Sequence, residues 1–249
     1  MKKLWRFVIL GTLAALVLGA AGFWVWAANP AMSEQQALDE LHSTETVHFE
    51  EMNEWLVFTP AHREPETGLI FYPGGRVDYR AYTPQIKAIA EAGFLVVVVP
   101  MPLNFAFLGV NRAADVIQAF PEMHYWAVGG HSLGGAMAAE FAKTNLTLVD
   151  GIVFWASYPA DSTDLTGANL AVASIYANND GLATPQEIEE SRSRLPDKAT
   201  FIEIIGGNHA GFGWYGPQNG DGTLQISRSD QQIQVVTATI DFLNMFQDQ

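Results

Sequence analysis

The chain has no cysteine. That absence excludes disulfides, thiolate metal sites, a cysteine nucleophile and a lipid-modified N-terminal cysteine. Basic residues are scarce as well, with 13 Lys and Arg against 27 Asp and Glu in 249 residues, and three of the 13 (Lys2, Lys3 and Arg6) stand at the extreme N-terminus. The part after residue 28 therefore holds 10 basic against 27 acidic side chains, a formal −17 that repels nucleic acid and anionic lipid surfaces. The carboxylates are scattered, without a compact cluster at metal-ligand spacing, so this charge reads as solubility and not as cation binding. Internal repeats, low-complexity tracts and a second-domain boundary are missing too. At 49% hydrophobic residues the chain suits one large domain with a well-buried core.

Charge is absent altogether from Phe7 to Ala28, an apolar run of 22 residues whose one hydroxyl is Thr12. A helix needs about 20 residues to cross the hydrocarbon core, whereas the apolar part of a cleaved signal peptide has about 7–15. Length favours a retained transmembrane anchor over residues 1–28, followed by a linker at 29–45 and a folded domain at 46–249. Basic residues ahead of the span keep that end in the cytoplasm and send the domain outward, with Trp24 and Trp26 at the far interface. The alternative is secretion after cleavage, for which Val25-Trp26-Ala27 is a passable small-residue site.

What is present beyond the anchor is an alternation of short apolar runs and helical patterns. A short helix is expected within 29–42, and Thr46–Glu50 and Glu54–Phe58 read as a strand pair. Then come Gly68–Tyr72, Phe94–Val99, Tyr125–Val128, Gly151–Trp155, Ala171–Tyr176 and Thr200–Ile205, short runs bounded mostly by Gly, Pro or Asp as buried strands are. Val96–Val99 is β-branched throughout, the composition of a strand covered on both faces. Helical patterns occupy Pro84–Ala92, Asn111–Phe120, Ala136–Thr144, Pro185–Arg194 and Asp230–Phe246. Thr184 is expected to cap the fourth, with Pro185 in its first turn and Glu187 returning the bond, and Ser229 with Gln232 to cap the fifth. Strand followed by helix, repeated, specifies a mainly parallel sheet of about eight strands with helices on both faces. The connection near 157–170 leaves no room for a large lid.

One turn carries chemistry. Gly130-His131-Ser132-Leu133-Gly134 has the G-x-S-x-G pattern in which a sharp strand-to-helix turn strains a serine and lifts its oxygen above the strand ends. Glycines two before and two after remove side chains that would clash there. The next N–H, that of Leu133, faces the position where negative charge develops. The flanking Tyr125-Trp126-Ala127-Val128 supplies the strand, and Ala136-Met137-Ala138-Ala139 a small-residue helix.

A serine hydroxyl needs a base to take its proton and a third group to hold that base in the right tautomer. Of six histidines, only His209 follows the serine, in a loop between the last strand and the last helix. His131 fills the variable position of the turn and reads as packing. For the acid, Asp180 follows Ala171–Tyr176 at a strand's carboxyl end, where ligands gather in parallel sheets. Asp161 and Asp164 are rivals in a polar loop that reads more simply as a turn; Asn179-Asp180-Gly181 has a turn reading of its own. A second oxyanion donor is expected after the third strand, in Pro73-Gly74-Gly75. Pro73 has no N–H, so the donor is Gly74, Gly75 or Arg76, with Gly75 first.

With these blocks in place, the chain resembles the α/β-hydrolase superfamily. "GLIFYPGGRVDYRAY", "VVVVPMPLNFAFLG", "GGHSLGGAMAAEFA", "SIYANNDGLATP" and "GGNHAGFGWYGPQNGDG" look more narrowly like its compact, lid-poor bacterial members of the fold-5 group. The resemblance implies a Ser132–His209–Asp180 triad and hydrolysis of an ester-like bond through an acyl-enzyme. Tyr72-Pro73 departs from the His-Gly pair of many relatives and leaves the second donor open. Dienelactone hydrolases share the compact plan but use cysteine, so Ser132 points away from their substrates.

The reading that results is a membrane-anchored serine hydrolase of carboxylic esters, or of amides, acting on a small-molecule substrate with no cofactor, since the triad moves protons and acyl groups unaided. Two other functions compete with it: a non-catalytic binding protein that keeps the fold, and a peptidase of the same fold. Trp214 and Tyr215, beyond His209, are candidates for pocket wall or for loop packing.

Overall fold

The computed structural model describes residues 2–247. A long helix, α1 (Lys2–Ala27), leads into a single turn, α2 (Gln35–Leu38). The side chains of Lys2, Lys3 and Arg6, on which the expected orientation rests, lie outside those described. The domain follows as β1 (Val47–Met52), β2 (Trp55–Pro60), β3 (Thr67–Tyr72), α3 (Thr83–Glu91), β4 (Leu95–Val98), α4 (Arg112–Ala119), β5 (Tyr125–His131), α5 (Leu133–Thr144), β6 (Gly151–Trp155), β7 (Ala171–Ala177), α6 (Pro185–Ser191), β8 (Thr200–Ile204) and α7 (Arg228–Asn244).

All eight strands form one sheet in the order β1-β2-β4-β3-β5-β6-β7-β8. β1 and β2 are an antiparallel hairpin, closed at Asn53 and Glu54 in left-handed backbone conformations, φ 52° and 71°, that suit the twist of a tight hairpin. β2 runs antiparallel to β4, and every later pairing is parallel. Parallel strands buried on both faces account for the near-continuous apolar runs.

Period-two alternation divides the core. Leu69 and Phe71 of β3 and Val96 and Val98 of β4 face a layer built with Ile86 and Ile89 of α3 and Val235 and Phe242 of α7. Ile70, Tyr72 and Val97 face the opposite layer with Ala113 and Val116 of α4 and Ala138 and Phe141 of α5. Each fully buried Val, Leu, Ile or Phe among them contributes roughly 1.5–3 kcal/mol by leaving water. Residues 156–170, between β6 and β7, contain no helix or strand, so no lid is inserted there.

Two helix starts differ from expectation. α5 begins at Leu133, three residues before Ala136, and takes Gly134 and Gly135 into its first turn. Close packing requires them: a Cβ on Gly134 would overlap the carbonyl oxygens of Tyr72 and Pro73, and one on Gly135 would press on Ser157. The expected Ser229–Gln232 cap is replaced by Ser227, whose hydroxyl accepts the Asp230 N–H at 3.0 Å. Gln232 is instead buried and donates to the Gly211 carbonyl at 3.4 Å. The Thr184–Glu187 capping box forms as expected.

Candidate active site

The parallel strands deliver their carboxyl ends to one edge of the molecule, and the chemistry-bearing residues follow from those ends. β5 stops at His131, and Ser132 takes φ 53°, ψ −125° before α5 starts. A non-glycine residue in such a region costs about 1–3 kcal/mol and persists only where its surroundings hold it. Here the Ser132 N–H donates to the Trp155 carbonyl at 3.0 Å, and its own carbonyl accepts from the Ser157 hydroxyl at 2.6 Å. A Cβ on Gly130 would strike the Tyr72 carbonyl, as one on Gly134 would. The glycines of the motif thus let the end of β3 lie directly against the serine turn.

Asp180 lies three residues beyond β7. Its Oδ1 accepts the Leu182 and Ala183 N–H groups, both at 2.8 Å, and its Oδ2 accepts from Nδ1 of His209 at 2.8 Å. The carboxylate and the imidazole are both buried. Once Nδ1 donates to Asp180, Nε2 is the acceptor of a neutral ring. That nitrogen is buried and has no hydrogen-bond partner among the described residues. Ser132 lies at the same end of the sheet: the ring of its neighbour His131 is 4.5 Å from that of His209, centroid to centroid. His131 itself is fully buried, and that burial holds its pKa well below the usual 6.5.

The loop after β3 offers three N–H groups, and two are taken. Gly74 donates to the Tyr82 hydroxyl at 3.0 Å, and Arg76 to the Asn104 carbonyl at 2.7 Å. The Gly75 N–H has no partner among the described residues. Gly75 also abuts Leu133, since a Cβ built on it would lie 3.0 Å from Leu133 Cδ2. At a helix start the first N–H groups have no intrahelical acceptor, so Leu133 presents a second unpaired donor beside it. The Tyr82 phenol, already accepting from Gly74, lies 2.9 Å from His131 Nδ1. Its proton has that nitrogen as acceptor, which assigns the His131 proton to Nε2.

Residues 68–233 match the alpha/beta hydrolase family. The chain belongs to it. Among solved structures, this α/β hydrolase is similar to a cold-adapted esterase from an Arctic intertidal metagenomic library, at 14% identity and a TM-score of 0.53, over 79% of this chain and 92% of that one. An alpha/beta hydrolase enzyme from the sediment metagenome of the Mar Chica lagoon, Morocco, matches at 16% identity and TM-score 0.53, over 66% and 90%. A protein described as a predicted CIB-like hydrolase from Thermoplasma acidophilum matches at 17% and 0.53, over 79% and 96%. At these identities the likeness is one of fold. No curated protein matches by sequence.

Beside Ser132 the hydrolase has a cavity of about 290 Å³ lined by Leu133, Ala136, Ala156, Tyr158, Leu182 and Ala183 among others. Its wall is mainly apolar, with Tyr158 as a polar edge; burial and the Glu187 carboxylate push that phenol's pKa up to about 12, so it stays protonated at neutral pH. The rival acids stand elsewhere. Asp161 is exposed and pairs with Arg194, and Asp164 closes a turn on the Thr166 N–H and hydroxyl. Trp214 and Tyr215 do not line this cavity. Tyr215 is buried against His131 and Tyr82, and Trp214 lies under the Arg228 guanidinium, so both pack the loop.

Two residues of this hydrolase escaped the sequence reading. Asp221 accepts the His209 N–H at 3.0 Å and the Ala210 N–H at 2.8 Å, with Gly181 N at 3.4 Å. It therefore ties the histidine loop to the turn that carries Asp180. Gln231, fully buried on α7, accepts the Asn208 N–H at 3.1 Å and donates to its carbonyl at 2.7 Å. In "GPQNGDG" an aspartate among glycines looks like any turn residue, and one of several glutamines near a helix start looks like surface. The available signal was position alone, within twenty-two residues after His209.

Proposed function

We propose that this α/β hydrolase is a membrane-anchored serine hydrolase that cleaves carboxylic esters, its catalytic domain outside the cytoplasm. The single observation that carries the chemistry is the 2.8 Å bond between His209 Nδ1 and Asp180 Oδ2, made by buried groups with Nε2 left as an unpaired acceptor at the sheet end that holds Ser132. A carboxylate there fixes the tautomer and stabilises the imidazolium that forms when Nε2 takes a proton. Ser132 Oγ attacks the ester carbonyl as His209 accepts its proton, and the oxyanion receives hydrogen bonds from the Gly75 and Leu133 N–H groups. Collapse expels the alcohol with the proton from His209. Water, deprotonated by the same nitrogen, then releases the acid and restores the serine. No step calls for a metal or a redox group.

The anchor reading is supported by the way α1 ends. Ile9–Ala27 has a mean hydropathy of 1.9, enough by length and composition to cross a membrane, though a leader sequence passes the same test. What favours retention is that the would-be cleavage residues are built into the fold. Ala27 is buried and its carbonyl accepts from Asn104 Nδ2 at 3.0 Å, while the Arg76 guanidinium lies 4.0 Å over the Trp26 ring.

A fluorophosphonate probe tests the chemistry. Labelling of the parent that vanishes in Ser132→Ala and persists in Ser193→Ala is the expected result; a folded parent that does not label would favour the binding-protein alternative. Parallel ester and anilide panels separate an esterase from a peptidase.

A further inference from the structure

The end of α1 and the candidate active site share one face. α1 packs on the loop after β4, and the contacts of its last turns fall on loops at the carboxyl ends of β3 and β4: Trp26 on Arg76 and Phe105, Phe23 on Phe105, Ala27 on Asn104. Ala31, just beyond, bridges to Val77. Because β3, β4 and β5 are parallel, these loops emerge at the same end as Ser132. A membrane-crossing α1 therefore brings the bilayer surface to the catalytic face, and not to the opposite end of the sheet.

The loop on that face has the chemistry of an interface. Between Glu91 and Arg112 there is no charged residue, in a domain that otherwise carries a strong acidic excess. Phe105 stacks on Phe23 of α1 with ring centroids 6.1 Å apart, and Phe107 lies 5.1 Å beyond Phe105. The aromatic row thus runs from the anchor out to Phe107 and Leu108, which are 49% and 47% exposed. The segment Ala106–Leu108 also packs on α5, the helix whose first turn lines the cavity beside Ser132.

We infer that Phe107 and Leu108 dock into the bilayer beside α1 and hold the Ser132 cavity at the membrane surface, so that the hydrolase takes esters dissolved in the bilayer in preference to esters dissolved in water. This rests on α1 being a retained span and deepens the proposed hydrolase function. Apolar side chains continuous with a spanning helix insert at the headgroup boundary in proportion to their area. The acidic body is kept away from anionic headgroups while the uncharged loop is not.

The absence of cysteine makes the test clean. In the full chain reconstituted in phosphatidylcholine vesicles, Phe107→Cys and, as a control on α7, Ile233→Cys are labelled with an environment-sensitive fluorophore, and doxyl-labelled phosphatidylcholine is added. The inference expects strong quenching at 107 and little at 233. Equal, weak quenching at both sites in protein that resists carbonate extraction would overturn the docking and leave the anchor standing; release by carbonate would overturn the anchor and the docking with it. On the substrate side, Phe107→Ser with Leu108→Ser should lower kcat/KM for p-nitrophenyl palmitate held in the vesicles by about 10-fold while p-nitrophenyl acetate changes by less than about 2-fold. An equal loss on both esters would overturn the substrate preference. A parent inactive on both would overturn the hydrolase reading and the substrate class together, and the quenching would still decide docking.

Discussion

Asp221 grips the backbone of His209 from behind: its two carboxylate oxygens accept the N–H groups of His209 and Ala210 at 3.0 and 2.8 Å. The imidazole is thereby fixed at both ends, by Asp221 at the main chain and by Asp180 at Nδ1. Displacement of a reacting group by about 1 Å can cost roughly 100-fold in rate. Asp221→Ala is expected to lower kcat by about 10- to 100-fold with KM little changed. Asp221→Asn, which can accept only one of the two N–H groups, should fall in between. Steady-state kinetics on a soluble ester checks this; a loss confined to KM would show that the loop shapes binding instead.

The two histidines should separate. His209→Ala and Ser132→Ala are each expected to lower kcat by about 10⁴-fold or more, and Asp180→Asn to approach that loss, because a wrongly protonated imidazole cannot take the serine proton. His131→Ala should retain much of the turnover per folded molecule, since its Nδ1 is engaged with Tyr82. Active-site titration with the fluorophosphonate normalises the rates. Equal residual activity in His131→Ala and His209→Ala would show the base to be misassigned.

His131 also sets a stability trend with pH. Burial keeps its folded pKa well below 6.5, so below pH 6.5 the unfolded chain binds a proton that the folded chain refuses. Stability from this group is complete above pH 6.5. It falls as the solution is acidified, by at most about 1.4 kcal/mol per pH unit, until the folded-state pKa is reached. The drop in unfolding midpoint between pH 7 and pH 5 should therefore be smaller for His131→Asn than for the parent. The same drop in both would mean that the buried imidazole plays no part in the acid sensitivity.

Much of the architecture was legible because it is local. Six short apolar runs and the strand pair ahead of them, the β-branched Val96–Val99 and the Thr184-Pro185-Glu187 start each declare an element through periodicity, propensity or capping, and the glycines around Ser132 mark a turn that tolerates few other residues. The start of α7 was misread because two serines, Ser227 and Ser229, offer similar hydroxyls two residues apart. Ser227 prevails because its hydroxyl accepts the Asp230 N–H at 3.0 Å and donates to the Asp230 carboxylate at 2.7 Å, while Gln232, the partner expected for Ser229, turns to the Gly211 carbonyl.

By itself, then, the sequence determined the alternation of strand and helix, the strained turn at Ser132 and the chain order of serine, aspartate and histidine. Tertiary structure decided which groups meet. The 2.8 Å approach of Asp180 to His209 depends on the register that sets Ala177 beside Ile204, and the singling out of Gly75 depends on Tyr82 and Asn104 taking the N–H groups on either side. The physical reason is range. Backbone preferences act over a few residues and are written in composition, whereas a hydrogen bond between loops is settled by how distant strands align and by which partners are already occupied.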